Sequence, residues 1–197
     1  MLESVKSVAE RITGLGRPAR ADLAALVTPR KANTFRLRDD GETPNNRKFP
    51  LVLYRSPVKF AGGYDPAAIF EALFESNGSG DGWRDGMYDW LHWHTGTHEV
   101  LGIARGWLKV RFGGARGRAL QVKAGDVLVL PAGIGHRRLL KSRDLLVVGA
   151  YPSGGTYDEK TPRDDAHDAS VRAIALVRAP KQDPVYGRRG PLPRLWH

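Results

Sequence analysis

The sequence predicts a mostly antiparallel β protein of the sandwich or barrel type, and three observations carry that expectation. Seven short apolar or alternating runs follow one another between residues 87 and 151, separated by Gly, Pro or charged turns. The chain holds 23 Gly and 13 Pro against a hydrophobic content of 41%, which suits many turns better than a bundle of long helices. Its 197 residues are enough for one well-buried core with extensions, and two domains would be cramped.

Taken in order, Leu2, Val5, Val8, Ile12 and Leu15 recur near helical spacing and predict a short amphipathic helix over residues 2–15. Glu3 and Glu10 argue against a transit peptide, no secretory apolar region follows the first residue, and no apolar run reaches membrane-spanning length. A soluble cytoplasmic protein is therefore expected. The strings "DDG" and "PNN" are turn chemistry before the apolar run Phe49 to Tyr54, a predicted strand. Asp65 and Pro66 fit an N-cap and first helical position, and Ile69, Phe70, Leu73 and Phe74 form the stripe of a helix that "SNGSGDG" ends.

The seven runs are "MYDWLHWH", "HEVLGIA", "WLKVRF", "ALQVKA", "DVLVLP", "HRRLLK" and "LLVVGAY". After them comes a polar stretch with a possible helix from Asp165 to Val177, then "DPVYGRRGPLPRLWH", too rich in Gly and Pro for regular structure. Val185, Tyr186, Leu192, Leu195 and Trp196 predict that this end docks on the β domain. The expected organisation is a helical extension over 1–32, a β domain over 33–156 and a packing segment over 157–197.

The absence of cysteine excludes disulfides, thiolate metal sites, iron-sulfur clusters and cysteine nucleophiles. A net charge of +10 raises the question of nucleic acid, yet the surplus is uneven: residues 61–102 carry seven acids and one base, residues 103–157 ten bases and two acids. Those bases are interspersed with apolar residues rather than gathered into a phosphate-tracking tract, so nucleic acid is not the expected partner.

The acidic segment contains "LHWHTGTHEV", with His92, His94, His98 and Glu99 inside eight positions. On a strand, Tyr88, Trp90, His92 and His94 would share one face, so His92 and His94 can converge on one ion. His98 and Glu99 are neighbours and must diverge. Glu99 shares its parity with Leu101 and Ile103, which makes it the inward candidate and turns His98 outward. Two imidazoles beside a carboxylate suit a divalent first-row metal with coordination positions left open.

A wider pattern surrounds the cluster. The first signature of the cupin superfamily, G-x5-H-x-H-x4-E-x6-G, is met by Gly86, His92, His94, Glu99 and Gly106 with every spacing intact. The second, G-x5-P-x-G-x2-H-x3-N, is met by Gly125, Pro131, Gly133 and His136, with Leu140 in place of Asn. The strings "DDGETPNN", "HEVLGIARG", "GDVLVLPAGIGH" and "DPVYGRRGPL" further resemble the YjlB-type cupins, from about residue 35 to the C-terminus. The resemblance implies a cupin jelly-roll β-barrel with short helical extensions, often dimeric. It also implies one divalent transition metal (Mn, Fe, Ni, Co, Zn or Cu) held by His92, His94, Glu99 and His136, with His98 as reserve ligand.

Such a site would polarise a small organic substrate or activate dioxygen or water, as a dioxygenase or isomerase does; a metal- or ligand-binding module without turnover is the alternative. Tyr88 shares the ligands' parity and is a candidate substrate contact. Arg138 shares the parity of His136, so its guanidinium is a candidate clamp for a carboxylate or phosphate. Leu140 in place of Asn predicts a more apolar cavity.

Overall fold

A computed structural model describes residues 15–60, 63–164 and 167–197, so nearly all of the helix expected over 2–15 lies outside the described residues. Nine strands are described: β1 (Ala32–Phe35), β2 (Leu51–Tyr54), β3 (Ser79–Asp85), β4 (Glu99–Arg105), β5 (Trp107–Phe112), β6 (Arg118–Lys123), β7 (Val127–Leu130), β8 (His136–Lys141) and β9 (Leu146–Pro152). They form a six-stranded antiparallel sheet in the order β1-β2-β7-β4-β9-β3 and a three-stranded one in the order β6-β5-β8. This is a jelly roll with short helices, in which the two sheets face each other as an open sandwich and do not close into a barrel.

Strands that are apolar at every position need cover on both faces, and the larger sheet has it. Leu51, Leu53, Leu101, Ile103, Leu128, Leu130 and Val147 point toward the smaller sheet and meet Leu108, Val110 and Phe112. Their alternates Val52, Tyr54, Val100, Ala104, Val127, Val129, Val148 and Ala150 point outward into a second core. The helix α2 (Pro66–Ser76) and the C-terminal segment cover that outer face, so β2 and β7 are buried throughout. The Asp65 carboxylate accepts from the Ala67 N–H and caps α2, whose preceding one-turn helix is α1 (Leu23–Leu26).

The C-terminal segment is tied down at two buried points. Asp183 accepts from the Tyr54 hydroxyl at 2.6 Å and from the N–H groups of Val185, Tyr186 and Leu192. Trp196 stacks on Phe49, with centroids 5.2 Å apart, and donates to the Pro50 carbonyl at 2.9 Å; it stands in the short turn after α4 (Leu192–Leu195).

Two expectations are corrected. The run 87–94 is not a strand; among the described residues it makes only the isolated bridges His92↔His136 and Trp93↔Lys160, because its residues serve two different neighbours. Conversely, the string read as ending α2, residues 76–82, already contains the start of β3, which pairs with β9 through an irregularity between Gly80 and Trp83 that includes Asp81 at φ 50. Gly and Asp there serve a bulge, which sequence alone does not separate from a turn.

The remaining helix, α3 (His167–Leu176), falls inside the expected span 165–177 and is anchored by His167 Nε2 on Asp39 Oδ1 at 2.9 Å. Hydrogen bonds to Asp39 and Asp168 raise the His167 pKa above its ordinary 6.5. Burial pushes Asp39 up, but the Gly41 N–H, His167 and Arg47 outweigh it and leave its pKa below 3.8. The raised histidine stabilises fully below its unfolded pKa and loses that contribution as pH rises through the folded value. The lowered carboxylate contributes above its own unfolded pKa and loses that as pH falls. His167→Ala is therefore expected to cost somewhat under ~1 kcal/mol near pH 5.5 and nothing at pH 9, read from urea midpoints at the two pH values.

Candidate metal centre

The histidines meet because three backbone contacts force them together. His136 N donates to the His92 carbonyl at 2.9 Å and His92 N to the His136 carbonyl at 3.3 Å, a one-residue antiparallel bridge that puts both side chains on one face. Gly133 N donates to the His94 carbonyl at 2.7 Å, binding the loop before β8 to the other histidine. Gly133 sits at φ +89, and a Cβ there would lie 2.4 Å from Ile174 Cδ1 and 2.9 Å from the Asn45 carbonyl. Only glycine fits both the conformation and the space.

Each of the three rings is then oriented by its own Nδ1. His92 Nδ1 faces the Trp90 carbonyl, His94 Nδ1 the Asp158 carbonyl and His136 Nδ1 the Ile134 carbonyl. A carbonyl only accepts, so each Nδ1 carries a hydrogen, and in the neutral ring the Nε2 is left with a lone pair. One ligand atom from each of these buried histidines lies within 4.8 Å of the others, a set that can hold a metal ion.

Glu99, at the start of β4, shares its face with Leu101 and Ile103 and brings a carboxylate beside two of these rings. Its Oε2 stands 3.6 Å from His94 Nε2 and 3.6 Å from His136 Nε2, and it is buried without a hydrogen-bond partner. Buried carboxylate oxygens are seldom left so, and three imidazole lone pairs with one anionic oxygen are a donor set that a divalent ion would complete. The residues present therefore fit such an ion.

The electrostatics agree with that arrangement. Burial, with His92 and His94 as neighbours, holds the His136 pKa down to about 3, and burial lowers that of His92. Burial also acts to lower His94, but the Glu99 carboxylate and the Asp158 carbonyl overcome it and the pKa is raised. Glu99 is the mirror case: burial raises its pKa, while His94 and the other histidines lower it overall. Two neutral imidazoles and a close His94–Glu99 pair result.

The ligand atoms open into a cavity of about 580 Å³. Tyr88 lines it, in edge contact with His92 and stacked on the exposed Trp90. Arg138 does not line it: its Nε donates to the Met87 carbonyl and its guanidinium pairs with Asp89 at 3.2 Å. β8 is the edge of its sheet, and Arg138 curls over that edge onto the segment beyond, which the parity rule did not anticipate. Leu140 is 56% exposed, because β8 shifts register after Arg138 and Leu140 pairs opposite Lys109, so it does not make the cavity more apolar. His98 lies on the outer face: its Nδ1 accepts from Ala132 N, its Nε2 donates to the Arg178 carbonyl, and burial lowers its pKa to about 4. Both its nitrogens are occupied.

Sequence reasoning missed Trp83, Tyr151, Tyr157 and Asp158. Tyr151 carried a usable signal, since it shares parity on β9 with Val147, which faces the inner core. Asp158 reaches the site from an irregular segment, accepting from Thr95 N, Thr95 Oγ1 and Gly96 N, and no periodicity marks it.

No protein-family model matches the chain. A curated relative from Bacillus subtilis strain 168, described as the uncharacterized protein YjlB, is 37% identical over 167 residues, 85% of this chain and 98% of the relative. Similar solved structures include a tryptophan-to-tyrosine variant of Bacillus subtilis oxalate decarboxylase, with 18% identity and TM-score 0.34 over 59% of this chain and 29% of that one. An oxalate decarboxylase formate complex from Lactobacillus farciminis matches at 19% identity and TM-score 0.32 over 58% of this chain and 26% of that one. Procruciferin, an 11S globulin from Brassica napus, matches at 18% and TM-score 0.32 over 41% and 21%. The chain spans less than a third of the length of each of these three.

Proposed function

We propose that this chain, which belongs to the YjlB-type family of the cupin superfamily, is a metal-dependent enzyme that converts a small organic substrate in the manner of a dioxygenase or an isomerase. The observation that carries the reading is a set of three buried histidines whose ligand atoms lie within 4.8 Å of one another, beside a carboxylate oxygen that stands 3.6 Å from two of them and has no hydrogen-bond partner. His92, His94, Glu99 and His136 would hold one divalent transition metal, Mn, Fe, Ni, Co, Zn or Cu. Such an ion supplies a Lewis acid, or a redox centre, for chemistry at a substrate oxygen.

The remaining work falls to the chain itself. The Trp90, Asp158 and Ile134 carbonyls hold the three imidazoles in one tautomer, so the site needs no rearrangement to bind. Glu99 supplies the negative charge. Tyr88 walls the cavity and is a substrate contact, and Leu101 adds an apolar side chain to its lining. A binding module without turnover is the alternative, and the open cavity beside the ligand atoms favours the enzyme.

The homodimer implied by the resemblance and the cytoplasmic setting expected from the sequence belong to the same proposal, and light scattering reads the first of them. No helix among the described residues is long and apolar enough to cross a membrane. The activity is tested by following oxygen uptake and substrate loss across a panel of small organic compounds with metal-reconstituted and chelator-treated protein. Metal-dependent turnover supports the enzyme, and stoichiometric metal without turnover on any of them favours the module.

A further inference from the structure

The rings around the cavity touch one another in series. Tyr88 meets His92 at 5.3 Å, Tyr157 meets His94 at 5.1 Å, and Tyr151 meets Tyr157 at 5.3 Å. Trp83 extends the wall by donating from Nε1 to Tyr151 Oη at 3.0 Å. Its seat is Gly149, its cross-strand partner on β9, where a Cβ would come within 2.1 Å of the indole. A side chain is omitted from a core strand so that this ring can lie against it.

Charge along the same wall is one-sided. Among the described residues lining the cavity, Arg84 is the single Lys or Arg, and its guanidinium is spent on Glu71 at 2.7 and 2.8 Å and on Asp65 at 2.6 Å. Asp81 and Asp85, exposed on the same strand, line the cavity too. A dicarboxylate would pass two acids and find no free cation among the described residues of the lining to clamp its distal end. An uncharged ring would meet rings.

Tyr151 adds a polar handle. Its oxygen accepts from Trp83, and its own O–H faces the Glu99 carboxylate, where an entering substrate oxygen competes for it. Resting on the metal-centre reading above, we propose that the cavity takes an uncharged, ring-bearing substrate of the phenol or catechol class. Its ring packs on the Trp83–Tyr151–Tyr157 wall, its oxygen takes a hydrogen bond from Tyr151, and dicarboxylates are discriminated against. A volume of about 580 Å³ accommodates a molecule of one or two rings.

The test uses the zinc-loaded full chain, because zinc leaves the probes unoxidised, with metal content read by elemental analysis before each titration. Catechol and malonate both offer two oxygens, so a preference between them reports the walls rather than the ion. Catechol is expected to bind at least tenfold tighter than malonate by calorimetry, and to quench tryptophan fluorescence. Tyr151→Phe is expected to weaken catechol at least fivefold at unchanged zinc content and melting temperature. Asp81→Asn combined with Asp85→Asn is expected to tighten malonate and leave catechol unchanged. Malonate binding as tightly as catechol, or Tyr151→Phe without effect on catechol, overturns the assignment. A chain that takes up no zinc overturns both this inference and the reading it rests on, and the metal assay alone distinguishes that failure.

Discussion

Glu99→Gln is expected to weaken metal binding by about a hundredfold or more while leaving the metal-free chain as stable as the wild type, or more so. The substitution keeps the volume and removes the charge. Carboxylate Oε2 is buried with no hydrogen-bond partner, and its desolvation is offset only by the charge of the surrounding histidines, so a neutral amide removes the cost together with that compensation. His94 is less prone to become a stranded charge, because burial is the largest influence on its pKa and Glu99 the largest one opposing it; with the carboxylate gone, only Asp158 still opposes burial. Urea unfolding of chelator-treated protein at pH 8, paired with a zinc titration, reads both halves. A site kept for function should show this opposition, whereas a structural His–Glu pair would lose stability and have no metal affinity to lose.

The largest loss of stability is expected at the opposite face of the sheet, from Trp196→Ala. Trp196 is 1% exposed, stacks on Phe49, packs against His98 at 4.8 Å and donates to the Pro50 carbonyl. Removing the ring leaves a cavity and an unpaired backbone acceptor, together about 3–5 kcal/mol. For a chain of this size the melting temperature should fall on the order of 10 °C. Limited proteolysis should cut the variant after residue 180 well before the wild type. Zinc content should be unchanged, because Trp196 touches His98, whose ring nitrogens are both occupied elsewhere, and none of the three converging histidines.

That division of labour also explains which parts could be read from the sequence. Strands β4 to β9 were legible because their apolar runs are bounded by turn residues, and α2 because Asp65, Pro66 and an apolar stripe coincide. The inward turn of Glu99 followed from its parity with Leu101 and Ile103. Parity failed where the chain leaves regular pairing. Residues 87–91 are irregular, which puts Trp90 in solvent, 47% exposed, and the register shift in β8 turns Leu140 outward. β3 was hidden because its glycines and Asp81 build a bulge. Asp158, which orients His94 through its carbonyl, could not be seen at all, since a backbone acceptor supplied by a loop 64 residues away leaves no residue-type signal.

The most direct test of the central claim is elemental analysis of the full chain, purified without a chelating tag, stripped, and reconstituted with a divalent transition metal. The wild type should carry one ion per chain, and His92→Ala and His136→Ala should each carry none while remaining folded by circular dichroism. A wild type without stoichiometric metal, or either variant loading as well as the wild type, would contradict the account.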